Sequence, residues 1–164
     1  MTSEHLLHTI PPIYDRNSKI LILGSFPSVK SREVSFYYGH PQNRFWRVLA
    51  AVLGCAVPSS NEEKTALLLS HNIALWDVIK SCDIVGSSDS SIKNVVPNDI
   101  GAILSSCGIR QIYSNGKTSE KLFNKYIKDT VGRDTVALPS TSPANASYNL
   151  ERLTDSWSVI KNNI

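Results

Sequence analysis

The chain carries four short apolar runs, residues 20–23, 73–76, 109–113 and Thr135–Leu138, each closed by turn-forming or polar residues. Four or five such residues with little polar alternation describe a strand covered on both faces. The stretches between them carry a helical period instead. Phe45, Val48, Leu49 and Val52 fall at i, i+3, i+4 and i+7, on one face of a helix. Asn61, followed by Glu62 and Glu63, suits the start of another that runs through residues 66–69. Pro97-Asn98-Asp99 opens a third toward Leu104, and Gly108 is placed to end it. Residues 117–128 form a fourth, and about 146–161 a fifth, with Leu150, Leu153, Trp157 and Ile160 in one stripe. The Ser-rich residues 81–91 read as a loop. This alternation predicts an α/β fold, a parallel sheet with helices on both faces. With 164 residues, no repeat and no linker, residues 1–164 are expected to form a single domain.

Composition narrows the function less than it narrows the fold. Hydrophobic residues at 41% and charged ones at 19% suffice for an ordinary core. Lys+Arg 17 against Asp+Glu 14 leaves +3, which permits an anionic partner without requiring one. No apolar run approaches the roughly 20 residues that cross a bilayer. Glu4, His5 and His8 do not make the basic-then-apolar order of a signal peptide. A soluble cytoplasmic protein is therefore expected. Cys55, Cys82 and Cys107 are odd in number and far apart. They speak against a disulfide framework or a four-thiolate metal site and read as small hydrophobes.

Parallel sheets bind ligands beyond the carboxyl ends of their strands. Here those ends run into Gly24-Ser25-Phe26-Pro27-Ser28, Asp77, Ser114-Asn115-Gly116 and Pro139-Ser140-Thr141-Ser142-Pro143. All four should line one cleft. The densest block follows the first strand: Ser35-Phe36-Tyr37-Tyr38-Gly39-His40-Pro41-Gln42-Asn43-Arg44-Phe45-Trp46. Three consecutive aromatics in one loop cannot all face a core, so at least one ring is expected to line the cleft and stack on a flat ligand. Asn43 sits where a helix begins and suits an N-cap. There is no P-loop, and Gly24-Ser25-Phe26-Pro27 lacks a dinucleotide-binding glycine pattern.

These segments, together with Leu75-Trp76-Asp77-Val78, Gly86-Ser87-Ser88-Asp89-Ser90, Asn98-Asp99-Ile100, Asn115-Gly116 and the run from Leu138 to Asn145, resemble the uracil-DNA glycosylase superfamily. The hypoxanthine-DNA (deoxyinosine) glycosylase branch is the nearest in pattern. The resemblance implies a three-layer α/β/α sandwich around a four-stranded parallel sheet. It also implies a monofunctional enzyme of base excision repair that hydrolyses the N-glycosidic bond of hypoxanthine in DNA. A uracil or mismatch glycosylase of the same superfamily is one alternative, and a catalytically silent DNA-binding domain is another. No cofactor or metal is implied, and a monomer is expected.

By the same resemblance, Asn43 is the catalytic amide that orients water or base, with Ser25 supporting it. Relatives often carry Asp, Glu or Asn at the Ser25 position, and a serine without a base partner is a poor proton acceptor. Tyr38 falls where relatives stack a ring on the extruded base, with Gly24, Phe26, Asp77 and Asn115 around it. Gly39 would let the backbone approach closely. Asp77 replaces an Asn that reads the base edge in uracil enzymes. Its carboxylate can accept the N1–H of hypoxanthine and would repel the N1 lone pair of adenine. A loop-bracing or helix-capping Asp is the plainer reading. Ser140, Thr141 and Ser142 would donate to phosphate oxygens beside a helix N-terminus. A related family has His at the position of Leu138, so that contribution is missing. Lys117, Lys121, Lys125 and Lys128 could help hold a duplex but read as a solvated face, and His40 could act near the sugar.

Overall fold

The computed structural model describes residues 2–164. Its centre is the expected four-stranded parallel sheet, in the order β3-β2-β6-β7. These strands are β2 (Ile20–Gly24), β3 (Ile73–Asp77), β6 (Gln111–Asn115) and β7 (Thr135–Leu138). In β2 every residue is buried, and alternate side chains serve opposite layers. Ile20 and Ile22 pack with α2 (Phe45–Leu53), α3 (Asn61–Ser70) and α7 (Leu150–Trp157). Leu21 and Leu23 face α4 (Ile100–Ser106) and α5 (Lys117–Tyr126). Burying each of these side chains stabilises the sandwich by about 1.5–3 kcal/mol.

Other elements depart from the sequence expectation. A three-stranded antiparallel sheet, β1-β4-β5, sits beside the sandwich. It is built from β1 (Glu4–Leu7), β4 (Ile79–Ile84) and β5 (Lys93–Pro97). Ser81, read as the start of a loop, is therefore inside a strand. The polar residues Ser81 and Asp83 each pair across the sheet with β1 and β5. Pro97 ends β5, and the helix begins only at Ile100, where the Asp99 side chain accepts the Ala102 N–H. A short helix α1 (Val29–Val34) follows the first strand-end loop, capped by Ser28. Ser60, not Asn61, caps α3, in a reciprocal pair with Glu63. The helix expected over 117–128 breaks at Ile127, and a single turn, α6 (Lys128–Val131), follows. The last helix starts at Leu150 behind an Asn149 cap and tightens into a 3-10 turn, Ser158–Asn162.

A strand order in which the first strand, β2, lies between its two successors makes a crevice at the carboxyl ends, where connections leave in opposite directions. Gly24 and Asp77 are register partners at that edge, with Asn115 closing β6 on the other side.

Candidate functional site

A cleft of about 370 Å³ opens at this edge, within the range of about 300–1,000 Å³ usual for small-ligand sites. Gly24, Ser25 and Phe26 line it from the end of β2, Asp77 from β3 and Asn115 from β6. Ser140, Thr141 and Ser142 come from the loop after β7, and Tyr38 and Asn43 from the loop before α2. The structure thus brings all ten candidate residues to one cavity. Residues 87–89 close its far side, tied to α1 by the Val29 N–H donating to Ser87 Oγ at 2.9 Å.

One wall is a directional chain of hydrogen bonds. The backbone N–H of Thr141 donates to Asn115 Oδ1 at 3.1 Å, which fixes the flip of that amide. Asn115 Nδ2 then donates to Thr141 Oγ1 at 3.0 Å, and Thr141 Oγ1 donates to Asn43 Oδ1 at 2.9 Å. The Phe45 N–H donates to the same Asn43 oxygen at 2.9 Å. Asn43 does act at the helix start, as a cap would, although the cap position itself is Arg44. Both lone pairs of its carbonyl are committed, so Asn43 can only offer N–H groups to a ligand. Thr141 does not fit the expected phosphate contact. It is fully buried, and its hydroxyl proton is already given to Asn43.

Ser140 Oγ accepts the Ser142 N–H and Ser142 Oγ accepts the Ala144 N–H, so each hydroxyl keeps its own proton to give. The helix N-terminus expected beside them lies further on, at Leu150, and is already capped. Arg44, to which no role was assigned from the sequence, staples this turn. Its guanidinium donates to the carbonyls of Ser142 (2.8 Å), Asn145 (3.1 Å) and Tyr148. A basic residue next to Asn43 was the only sign of it.

The opposite wall is less satisfied. Asp77 is buried, and it caps no helix, since β4 follows almost directly. Asn98 Nδ2 donates to the carbonyls of Asp77 (2.9 Å) and Ile79 (3.1 Å) and holds the junction. Asp77 Oδ2 meets His8 Nε2 at 2.8 Å, with only 1% of the His8 side chain exposed. His8 carried no site signal in the sequence, 69 residues from its partner. Asp77 Oδ1 faces Gly24, where a Cβ would lie 2.3 Å from it and 3.0 Å from Tyr38 Oη. Only glycine fits there.

Tyr38 adopts a left-handed backbone, φ 53°. Its ring lies flat on Phe45, centroids 4.1 Å apart, so one ring face is already covered. Its hydroxyl is buried without a hydrogen-bond partner among the described residues. Burial and then the Asp77 charge push that hydroxyl far up, against a weaker opposing pull from the Asn115 amide. The Tyr37 hydroxyl is raised for the same first two reasons, and donates to the Pro11 carbonyl at 2.8 Å. The Ser25 side chain lines the cleft and makes no hydrogen bond to the described residues.

Two expectations from the aromatic block fall elsewhere. A Cβ on Gly39 would press on Val34 at 2.5 Å, so this glycine serves the packing of α1. His40 is exposed, and its Nδ1 accepts the Gln42 N–H. Lys121 and Lys125 line a second, shallower cleft with Lys93, away from the strand ends.

A family model described as the uracil DNA glycosylase superfamily matches residues 11–161. A curated protein named hypoxanthine DNA glycosylase, from Methanosarcina acetivorans, is 35% identical over 152 residues, 92% of this chain and 94% of its own. A second of that name, from Methanosarcina barkeri, is 36% identical over 137 residues, 82% of this chain and 85% of its own. A solution NMR structure of a Methanosarcina acetivorans protein, provisionally named a uracil DNA glycosylase, superposes with a TM-score of 0.79. It is 33% identical and covers 93% of this chain and 94% of that one. The family model, the sequence matches and the superposition agree, and the chain belongs to the uracil DNA glycosylase superfamily.

Proposed function

We propose that this protein is a DNA glycosylase that removes hypoxanthine from DNA by hydrolysing its N-glycosidic bond. The observation that carries the reading is the meeting of Asp77, Tyr38 and Asn43 in one cleft at the strand ends. The name shared by the two Methanosarcina relatives supports it. An enzyme acting on a base must first swing it out of the stack, at a cost of a few kcal/mol, into such a slot. Hypoxanthine then presents the donor N1–H beside the acceptor O6. Asp77 Oδ1 accepts the first, and Tyr38 Oη, a hydroxyl without a partner, donates to the second after a small shift. Adenine presents the reverse pattern and meets a carboxylate with a lone pair, so it is rejected. Uracil shares the N–H and carbonyl pair through N3 and O4 and is the expected second substrate.

As the C1′–N bond breaks, positive charge grows on the sugar and negative charge on the departing base. Asn43 contributes N–H groups, not a lone pair, and so stabilises the negative end. Water adds to C1′, its oxygen stays on the sugar and its proton leaves with the base. The chemistry needs no side-chain nucleophile, cofactor or metal. Ser25 lies beside the reacting centre as a weak hydrogen-bonding group. Ser140 and Ser142 hold the flanking phosphates through their free protons. The protein acts as a monomer on DNA inside the cell. No helix among the described residues is long and apolar enough to cross a membrane.

The test incubates the protein with labelled duplexes bearing one hypoxanthine, uracil or adenine, then treats them with alkali. Strand breaks at hypoxanthine and none at adenine are expected. A folded protein that binds these duplexes and breaks none of them is instead a silent DNA-binding domain.

A further inference from the structure

We propose that His8 is a positioning residue for base recognition: its Nε2–H grips Asp77 Oδ2 and leaves Oδ1 turned into the slot. The proposal rests on the reading of Asp77 given above and extends it to a residue outside the strand-end motifs. Asp77 is 4% exposed and, among the described residues, accepts no side-chain hydrogen bond other than that of His8. A buried carboxylate without a donor is costly and turns to find another. That turn removes the acceptor that faces the ligand.

The small antiparallel sheet explains how His8 comes to be there. β1 pairs with β4 from Glu4↔Ile84 to Leu7↔Ser81, and the His8 N–H continues the ladder to the Lys80 carbonyl at 2.7 Å. β4 starts two residues after Asp77, so the pairing that registers β1 also sets the imidazole against the carboxylate. Phe26 and Trp76 meet the imidazole edge-on, at 6.0 and 6.5 Å between centroids, and Tyr37 lies against it at 6.1 Å. This packing holds the ring to one orientation and keeps water from replacing it. A mostly exposed strand is thereby followed by a side chain that is 1% exposed.

The experiment is a double-mutant cycle on single-turnover excision of hypoxanthine from a duplex, with duplex affinity measured in parallel. His8→Ala is expected to slow excision by about tenfold, the scale of one lost charge-assisted hydrogen bond, with duplex affinity unchanged. His8→Gln, which keeps an N–H donor, recovers part of the rate. In an Asp77→Asn background, His8→Ala is expected to change the rate by less than about twofold, because the group it acts through is gone. Equal losses in both backgrounds, or a loss in thermal stability that alone accounts for the slowing, overturn the proposal. Nitrogen-15 spectra of the imidazole, read without substrate, should show the Nε2–H tautomer and a shift on Asp77→Asn. The Nδ1–H tautomer, or no response to Asp77→Asn, contradicts the grip. If the parent protein cleaves no hypoxanthine duplex, the glycosylase reading fails, while these spectra still decide whether His8 holds Asp77.

Discussion

The two walls of the cleft differ in how their polar groups are used. On the Asn43 side, Asn115, Thr141 and Asn43 pass hydrogen bonds in one direction, anchored at both ends by backbone N–H groups, and Arg44 ties down the turn behind them. On the Asp77 side, one carboxylate oxygen, the Tyr38 hydroxyl and the Ser25 hydroxyl have no hydrogen-bond partner among the described residues. Of these the Tyr38 hydroxyl is fully buried, and a buried donor without a partner costs about 1–3 kcal/mol. The first wall therefore positions one amide, and the second keeps unspent valences for a ligand to fill. On the proposed reading, the second wall selects the base and the amide aimed by the first supports its departure.

Substitutions on each wall can break that division. Asn43→Ala should have the largest effect, slowing single-turnover excision by about a hundredfold or more, the scale of one lost transition-state donor. Duplex affinity should stay near the parent value, and an unchanged rate would move the catalytic amide elsewhere. Thr141→Val keeps the side-chain shape but unlinks Asn43 from Asn115. It should cost about tenfold in rate and about 1–3 kcal/mol in stability, measured by denaturant unfolding. A loss of stability without a loss of rate would show that Asn43 does not depend on the chain behind it. Ser25→Ala should change the rate by less than about threefold, since its hydroxyl holds nothing in place. A collapse of the rate in that variant would reverse the roles of Ser25 and Asn43.

The fold was legible where burial is two-sided. Residues 20–23 and 73–76 have no solvent face, so their sequence shows no polar alternation, and the four-strand sheet follows. The antiparallel strands were hidden because only part of each is buried. β1 is exposed along most of its length, β4 inserts Lys80, Ser81 and Asp83 among apolar residues, and β5 ends in a proline. Strand ends located the cleft, since parallel topology alone puts ligands there. The contacts that organise the cleft were not legible. His8 reaches Asp77 across 69 residues, and Arg44 reaches the carbonyls of the turn across 98 to 104. Neither pairing leaves a local periodicity, and each exists only once the sheet has formed. Thr141 looked like a surface hydroxyl in a Ser/Thr/Pro turn, yet it is the buried link between two amides.

The claim at the centre is that the carboxylate of Asp77 reads the N–H edge of the extruded base. The direct measurement is the single-turnover rate of hypoxanthine excision by Asp77→Asn beside the parent, at saturating protein on the same duplex. A fall of about tenfold or more is expected, with duplex affinity unchanged. An Asp77→Asn protein that removes hypoxanthine as fast as the parent, and discriminates as strongly against adenine, would contradict it.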